Sequence, residues 1–312
     1  MTTLQTIAPN ITKAASKQTY YTIRFLADRE RTADAYRAYA YFRWVDDTLD
    51  AEAASVEVQE RAAFLARQKS LLEKCSRGES FQDPTAEEQM LIELVRRDHE
   101  KNSGLQCYLR NMMQVMEFDA KRRGRLISQA ELNEYTRWLA TAVTEAMHYF
   151  IGHHKYAPHD ETRYLAVTGA HITHMLRDTF DDMQAGYYNI PREVLESRRI
   201  GPHDVHSPAY RAWVRIRIQL ARRCFRAGRQ YLVRVQEPRC RLAGFAYSAR
   251  FEWLLDTIEK ESYVLRPQYI ERKSFATGLR MGLSTFSALV TLRKLGKEAT
   301  AQSIVARPVR ER

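Results

Sequence analysis

The chain has 312 residues, 45% of them hydrophobic and 28% charged, with a formal net charge of +11. That balance is ordinary for a soluble globular protein with a sizeable core, and the basic excess suits an anionic partner such as a diphosphate or a lipid surface. Nucleic acid is the weakest candidate and is not expected as a partner, because the basic residues are spread along the chain and no DNA- or RNA-binding signature appears.

The N-terminal stretch MTTLQTIAPNITKAASK has no apolar run of the secretory-signal type. Helix-period apolar spacing then dominates, with no alternating strand pattern. The spacing predicts an all-α protein of about ten helices. They fall near 13–27, 31–50, 54–76, 86–100, 103–122, 128–151, 161–185, 208–235, 239–265 and 270–293. Breaks fall at 75–85, 153–160 and 186–208, with no repeat, low-complexity tract or Ser/Gly linker. One domain over 1–312 is expected, with a core of about 13–293 and a tail of 294–312. Cys75, Cys107, Cys224 and Cys240 show no metal-ligand spacing and read as reduced packing thiols of a cytoplasmic protein.

Within the predicted helix 31–50, winding at about 100° per residue brings Tyr39, Arg43, Asp46 and Asp50 within roughly 60° of one another. Asp47 lies about 100° off that line. A phenol, a guanidinium and two carboxylates are an odd choice for a stripe that faces a hydrophobic core. Arg43 either pairs with Asp46 as a structural ion pair or takes a phosphate oxygen while Asp46 and Asp50 bind metal, with Asp47 tuning the site from outside.

The predicted helix 161–185 carries a second stripe of His171, His174, Asp178 and Asp182, with Asp181 at its edge and Arg177 beside it. Four desolvated carboxylates facing one interior repel one another unless cations neutralise them. Hard oxygen ligands of this kind suit Mg²⁺, or Mn²⁺ in its place, completed by water and substrate phosphate. A surface helix would tolerate either stripe alone; two of the same type point to a diphosphate held through metal. A di-iron centre is the competing chemistry, but it favours Glu-x-x-His on two helices, and only Glu145 with His148 has that spacing. His153, His154 and His159 lie in a polar connector without paired ligands, so a zinc site there is not expected. The long irregular stretch 186–208 directly follows the second stripe, where loops often cover a site. No run reaches the roughly 18 to 20 apolar residues of a membrane span. Residues 271–297 mix apolar bulk with basic ends, which suits either peripheral membrane contact or ordinary packing.

Taken in order, SKQTYYTIRFL (16–26), YAYFRWVDDTLD (39–50), MEFD (116–119), Tyr135, LRDTFDD (176–182), YYNIPREVL (187–195) and LLDTIEKESY (254–263) resemble the landmarks of the squalene/phytoene synthase family. These are head-to-head prenyl synthases with the all-α class I isoprenoid synthase fold. The resemblance implies a prenyltransferase acting on prenyl diphosphates, farnesyl or geranylgeranyl. One allylic diphosphate ionises, its C1 joins a double bond of a second, and a cyclopropyl diphosphate leads to a squalene-, dehydrosqualene- or phytoene-type product. It implies Asp46, Asp50, Asp178 and Asp182 as Mg²⁺ ligands, and Ser16, Tyr39, Arg43 and Arg177 as diphosphate-binding residues. Tyr135 would line the reaction chamber, and Tyr39, Arg43, Tyr135 and Arg177 would make up the catalytic set.

Three departures from the family pattern bear on the product. His171 and His174 stand where the family usually has Gln and Asn, and an imidazole there can still bind diphosphate or metal-bound water. Thr144 replaces a glycine of the middle helix, which is expected to kink less. The C-terminal phosphate-binding arginine corresponds most nearly to Arg266. The same ionisation could serve cyclisation or prenyl transfer to another acceptor, and a non-catalytic relative is the remaining alternative. No GxGxxG fingerprint is present, but reductive members of the family lack one too, so NADPH use stays open.

Overall fold

Ser16 ends one helix and begins the next. Its hydroxyl accepts a hydrogen bond from the Thr19 amide at 3.2 Å, capping α2 (Lys17–Leu26) immediately after α1 (Leu4–Ala15). The chain, in a computed structural model that describes residues 4–50 and 58–269, continues with α3 (Thr32–Asp50), α4 (Val58–Ser76) and α5 (Ala86–Arg97). Then come α6 (Gly104–Arg122), α7 (Gln129–Phe150), α8 (Leu165–Arg177), α9 (Thr179–Gln184), α10 (Arg192–Arg198), α11 (Pro208–Arg234) and α12 (Pro238–Lys260). Twelve helices and no strand occur among the described residues, so the all-α expectation holds. The expected helix 270–293, the basic apolar segment 271–297 and the tail lie outside the described residues.

Local chemistry sets most boundaries. Thr85 with Glu88, and Ser128 with Glu131, form reciprocal capping boxes at the starts of α5 and α7. Ser207 caps α11 ahead of Pro208, whose missing amide is harmless in a first turn. Two differences from the predicted elements matter for the site. The expected helix 161–185 divides at Asp178, where ψ swings to 11°. Just beyond, the Thr179 hydroxyl donates to the carbonyls of Met175 and Leu176 at 2.9 and 3.2 Å, a back-bond that bends helices. The irregular stretch 186–208 contains α10, and Gly186 opens it with φ +85°, a left-handed turn that suits glycine. By contrast α7 runs unbroken past Thr144.

The core has two parts. Tyr41, Leu71, Leu91, Leu94, Leu105 and Leu109 anchor one that gathers α1 to α7. Ile172, Val214, Ile218, Phe225, Leu255 and Ile258 anchor the other, between α8, α11 and α12. Gly228 lets α11 press against α8, since a Cβ there would lie 2.6 Å from the Ala166 amide nitrogen. That close approach gives the second acidic helix a rigid backing. All four cysteines are free thiols, Cys224 and Cys240 buried and the other two half-buried.

Candidate active site

On α3 the Arg43 guanidinium bridges both neighbouring aspartates. Its Nε donates to Asp47 Oδ2 at 3.0 Å, its Nη2 closes a second contact with Asp47 Oδ1, and its Nη1 reaches Asp46 Oδ2 at 3.4 Å. Asp47 is thus the principal partner of Arg43, because a residue one turn on meets the guanidinium more squarely than Asp46 does. Behind them the Tyr39 phenol lies near the Ser16 hydroxyl and within electrostatic reach of Arg43, Arg250 and Asp46.

On α8 and at its junction with α9, Asp178 accepts from Arg177 Nε at 2.5 Å and Nη2 at 2.6 Å, and sits 2.9 Å from His174 Nε2. Asp182, one turn on, accepts from the Asn189 amide at 2.5 Å, while Asp181 is exposed. His171 is buried and meets the edge of Tyr135, ring centres 4.9 Å apart, with no hydrogen-bond partner for its Nδ1. It packs behind Tyr135, whereas His174 pairs directly with an aspartate. Arg266, just past α12, pairs with Glu261 at 2.6 Å and lies over the Tyr269 ring.

A third element, which the spacing of acidic pairs did not reveal, joins the two stripes. Asp119 on α6 accepts from Tyr135 Oη at 2.9 Å and from Arg122 Nε at 2.6 Å. Arg122 Nη1 then donates to Asn189 Oδ1 at 2.9 Å, and Asn189 donates onward to Asp182. Directly after the Gly186 turn, Tyr187 Oη donates to Asp50 Oδ1 at 3.0 Å. Aspartates from α3, α6 and α9 are therefore tied into one cluster through the loop that follows the second stripe. Arg250 on α12 was missed as well. It lies within electrostatic reach of Tyr39, Arg177 and Asp178, and has no carboxylate partner among the described residues. A sequence signal existed for Asp119 and Arg122, a carboxylate and a guanidinium three apart on one helix face; for Arg250 there was none.

The electrostatics follow from burial. Asp46 is pushed up to about 7 by desolvation, with Asp50 next and Asp119 and Asp47 adding, against the pull of Arg43. Asp182 is likewise pushed up to about 7 by desolvation, with Asp178 and Asp119 adding and Asn189 and Arg122 opposing. Burial and nearby Asp50 raise Asp119 despite Arg122 and Tyr135. Burial also works against the Asp178 carboxylate, yet Arg177 and His174 hold it below the usual range. Desolvation lowers Arg250, and the like charge of Arg177 lowers it further.

Two aspartates that ionise only near neutrality mark a site short of positive charge. Among the described residues no three His, Cys, Asp or Glu side chains converge on one point. Asp46, Asp50, Asp178 and Asp182 offer only carboxylate oxygens, the donor type that suits a hard divalent cation sharing its shell with water and phosphate.

Solved structures share the fold, these three among them. One is squalene synthase HpnC from Alicyclobacillus acidocaldarius, with TM-score 0.65 and 16% identity, covering 84% of this chain and 95% of that one. Another is a dehydrosqualene synthase in complex with ligand, with TM-score 0.68 and 16% identity over 92% and 95%. The third, TcSQS with the ligand BPH1237, has TM-score 0.66 and 14% identity over 99% and 94%. No curated protein sequence matches. The fold is that of the α-helical squalene-synthase type, and the acidic cluster between its helices is the part suited to a polyanion. The squalene/phytoene synthase profile matches residues 12–274, and the chain belongs to that family. It is accordingly a prenyltransferase.

Proposed function

We propose that the protein joins two allylic prenyl diphosphates head to head, with magnesium neutralising the leaving diphosphate. The observation that carries this reading is the pair Asp46 and Asp182, on separate helices yet tied to one cluster, each kept near neutrality by burial among like charges. Asp46 and Asp50 on one side and Asp178 and Asp182 on the other would hold the ions, with Asp47 and Asp181 beside them. Bound there, the metal supplies charge neutralisation for a departing pyrophosphate.

The chain's own groups do the rest. Arg43, Arg177 and Arg250 present guanidinium groups to phosphate oxygens. Ser16 and Tyr39 orient the same head, and His174 adds a donor beside Asp178. When the C1–O bond of the first substrate breaks, both electrons leave on diphosphate. The double bond of the second substrate attacks C1, and proton loss closes the cyclopropane. Tyr135, held by Asp119 and backed by His171, forms one wall that keeps water from the cation. Desolvation and neighbouring Asp119 raise the Tyr135 phenol well above its usual range, so it stays protonated and acts as a donor.

The test is incubation of the full chain with labelled farnesyl and geranylgeranyl diphosphate and Mg²⁺, followed by lipid extraction. A squalene- or phytoene-type hydrocarbon, or a cyclopropyl diphosphate, is expected. A cyclic product of a single substrate, or turnover only with an added acceptor, would replace this reading with cyclisation or prenyl transfer. No diphosphate release under any of these conditions would remove it.

A further inference from the structure

Four arginines are buried among the described residues, and three have an obvious counter-charge. Arg37 pairs with Asp34 and Glu93, Arg122 with Asp119, and Arg163 with Glu145. Arg217 on α11 is 8% exposed and takes part in no ion pair or hydrogen bond among the described residues. Burial draws it down to about 10, so it still carries its proton at neutral pH. A lone buried cation in that position is costly unless something neutralises it.

Arg217 opens onto a cavity of about 300 Å³ between α7, α8 and α11. Its walls include Ala140 and Thr141 from α7, Thr168 and Ile172 from α8, and Leu220 beside Arg217. This is not the acidic cluster: on α8, wound at about 100° per residue, Thr168 and Ile172 lie roughly a third of a turn from His171, His174 and Asp178. The Thr168 hydroxyl donates to the Tyr164 carbonyl at 3.1 Å and so offers no proton to a ligand. Arg217 is the cation within the cavity that is not already engaged. Arg137 at the rim is committed to Glu134, and Glu161 at the rim opposes anions from the exposed side.

We propose that this cavity is a second ligand site, separate from the prenyl diphosphate site, which takes a small amphiphilic anion with a carboxylate or phosphate head on Arg217 and a short apolar chain along Ala140, Ile172 and Leu220. The volume falls at the small end of ligand pockets, which favours a short chain over a full prenyl substrate. Arg217 also lies within electrostatic reach of His171, whose basicity is lowered by burial, His174, Arg122 and Arg217.

The experiment is calorimetric titration of the full chain with octanoate, geranyl monophosphate and octanol. Wild type is compared with Arg217→Met, Thr141→Phe and Asp182→Asn. Octanoate or geranyl monophosphate is expected to bind, the tighter of the two identifying the head group, and octanol is not. Arg217→Met, which exchanges an unpaired charge for an apolar chain of similar length, should fold and bind at least tenfold more weakly. Thr141→Phe should obstruct the cavity with Arg217 intact and weaken binding as well, which covers the case of a misfolded Arg217→Met. Asp182→Asn should bind as wild type does. Failure of both anions to bind wild type overturns the proposal, as does unchanged affinity in the two cavity variants. Loss of binding in Asp182→Asn would move the ligand to the acidic cluster and overturn it too.

Discussion

Replacing Asp182 with asparagine should make the metal-free protein more stable while removing its activity. In the folded chain Asp182 ionises near 7, against 3.8 for the ordinary side chain, because it is buried beside Asp178 and Asp119. At about 1.4 kcal/mol per tenfold change, that gap sets a ceiling of about 4 kcal/mol on the strain carried by its ionised form. Partial hydration of the site brings the expected gain from Asp182→Asn to about 1–3 kcal/mol. The asparagine carbonyl can still accept from Asn189, so that hydrogen bond need not be lost. The sign depends on pH. Between about 4 and 7 the folded state holds a proton on Asp182 that the unfolded chain has already released, so stability falls as pH rises through that window. The variant lacks this loss. Its advantage should be absent near pH 4 and complete above about pH 7, where thermal melts should show a rise of about 2–6 °C at about 2 °C per kcal/mol. Magnesium with pyrophosphate should raise the wild-type melting temperature at pH 8 and have little effect on the variant. An equal melting difference at pH 5 and pH 8, or a variant less stable than wild type at pH 8, would refute the electrostatic account.

Other perturbations probe the neighbouring groups. Asp178→Asn should reduce turnover by about 10²-fold or more while leaving circular dichroism unchanged, and wild-type rates would discard the role given to α8. Arg122→Gln strands Asp119 without its buried counter-charge and should cost about 3–5 kcal/mol in urea unfolding; a loss below about 1 kcal/mol would mean the Asp119–Asn189 bridge is not structural. Arg250→Gln removes a cation with no ion pair among the described residues, so kcat/KM should drop about tenfold or more with little change in melting temperature. Wild-type kcat/KM would place Arg250 outside the diphosphate site. Tyr187→Phe should cost about 1 kcal/mol through its lost bond to Asp50, read by the same melts.

Periodicity alone located α6, α7 and α11 nearly to the residue, because the apolar spacing of each helix holds along its length. The helix break at Asp178 was illegible, since a Thr179 back-bond competes with the helix only once both have formed. The acidic stripe of α3 was visible for a related reason. Residues four apart on a helix share a face whatever the rest of the chain does.

What sequence could not assign was the choice among partners. Arg43 had Asp46, Asp47 and a phosphate available to it, and only the packed geometry gives its strongest contact to Asp47. Asp119 and Arg122 on α6, Tyr187 and Asn189 in the loop after α9, and Arg250 on α12 enter the site from three separate segments, and no spacing along the chain relates those segments. The same holds for Arg217, whose lack of a counter-charge among the described residues is a property of its neighbours and not of its position in a helix. Local order and which residues share a helix face were determined by the sequence itself, because helix geometry repeats every few residues. Which of those faces meet, and whether a buried charge meets its opposite, was decided only when the helices packed.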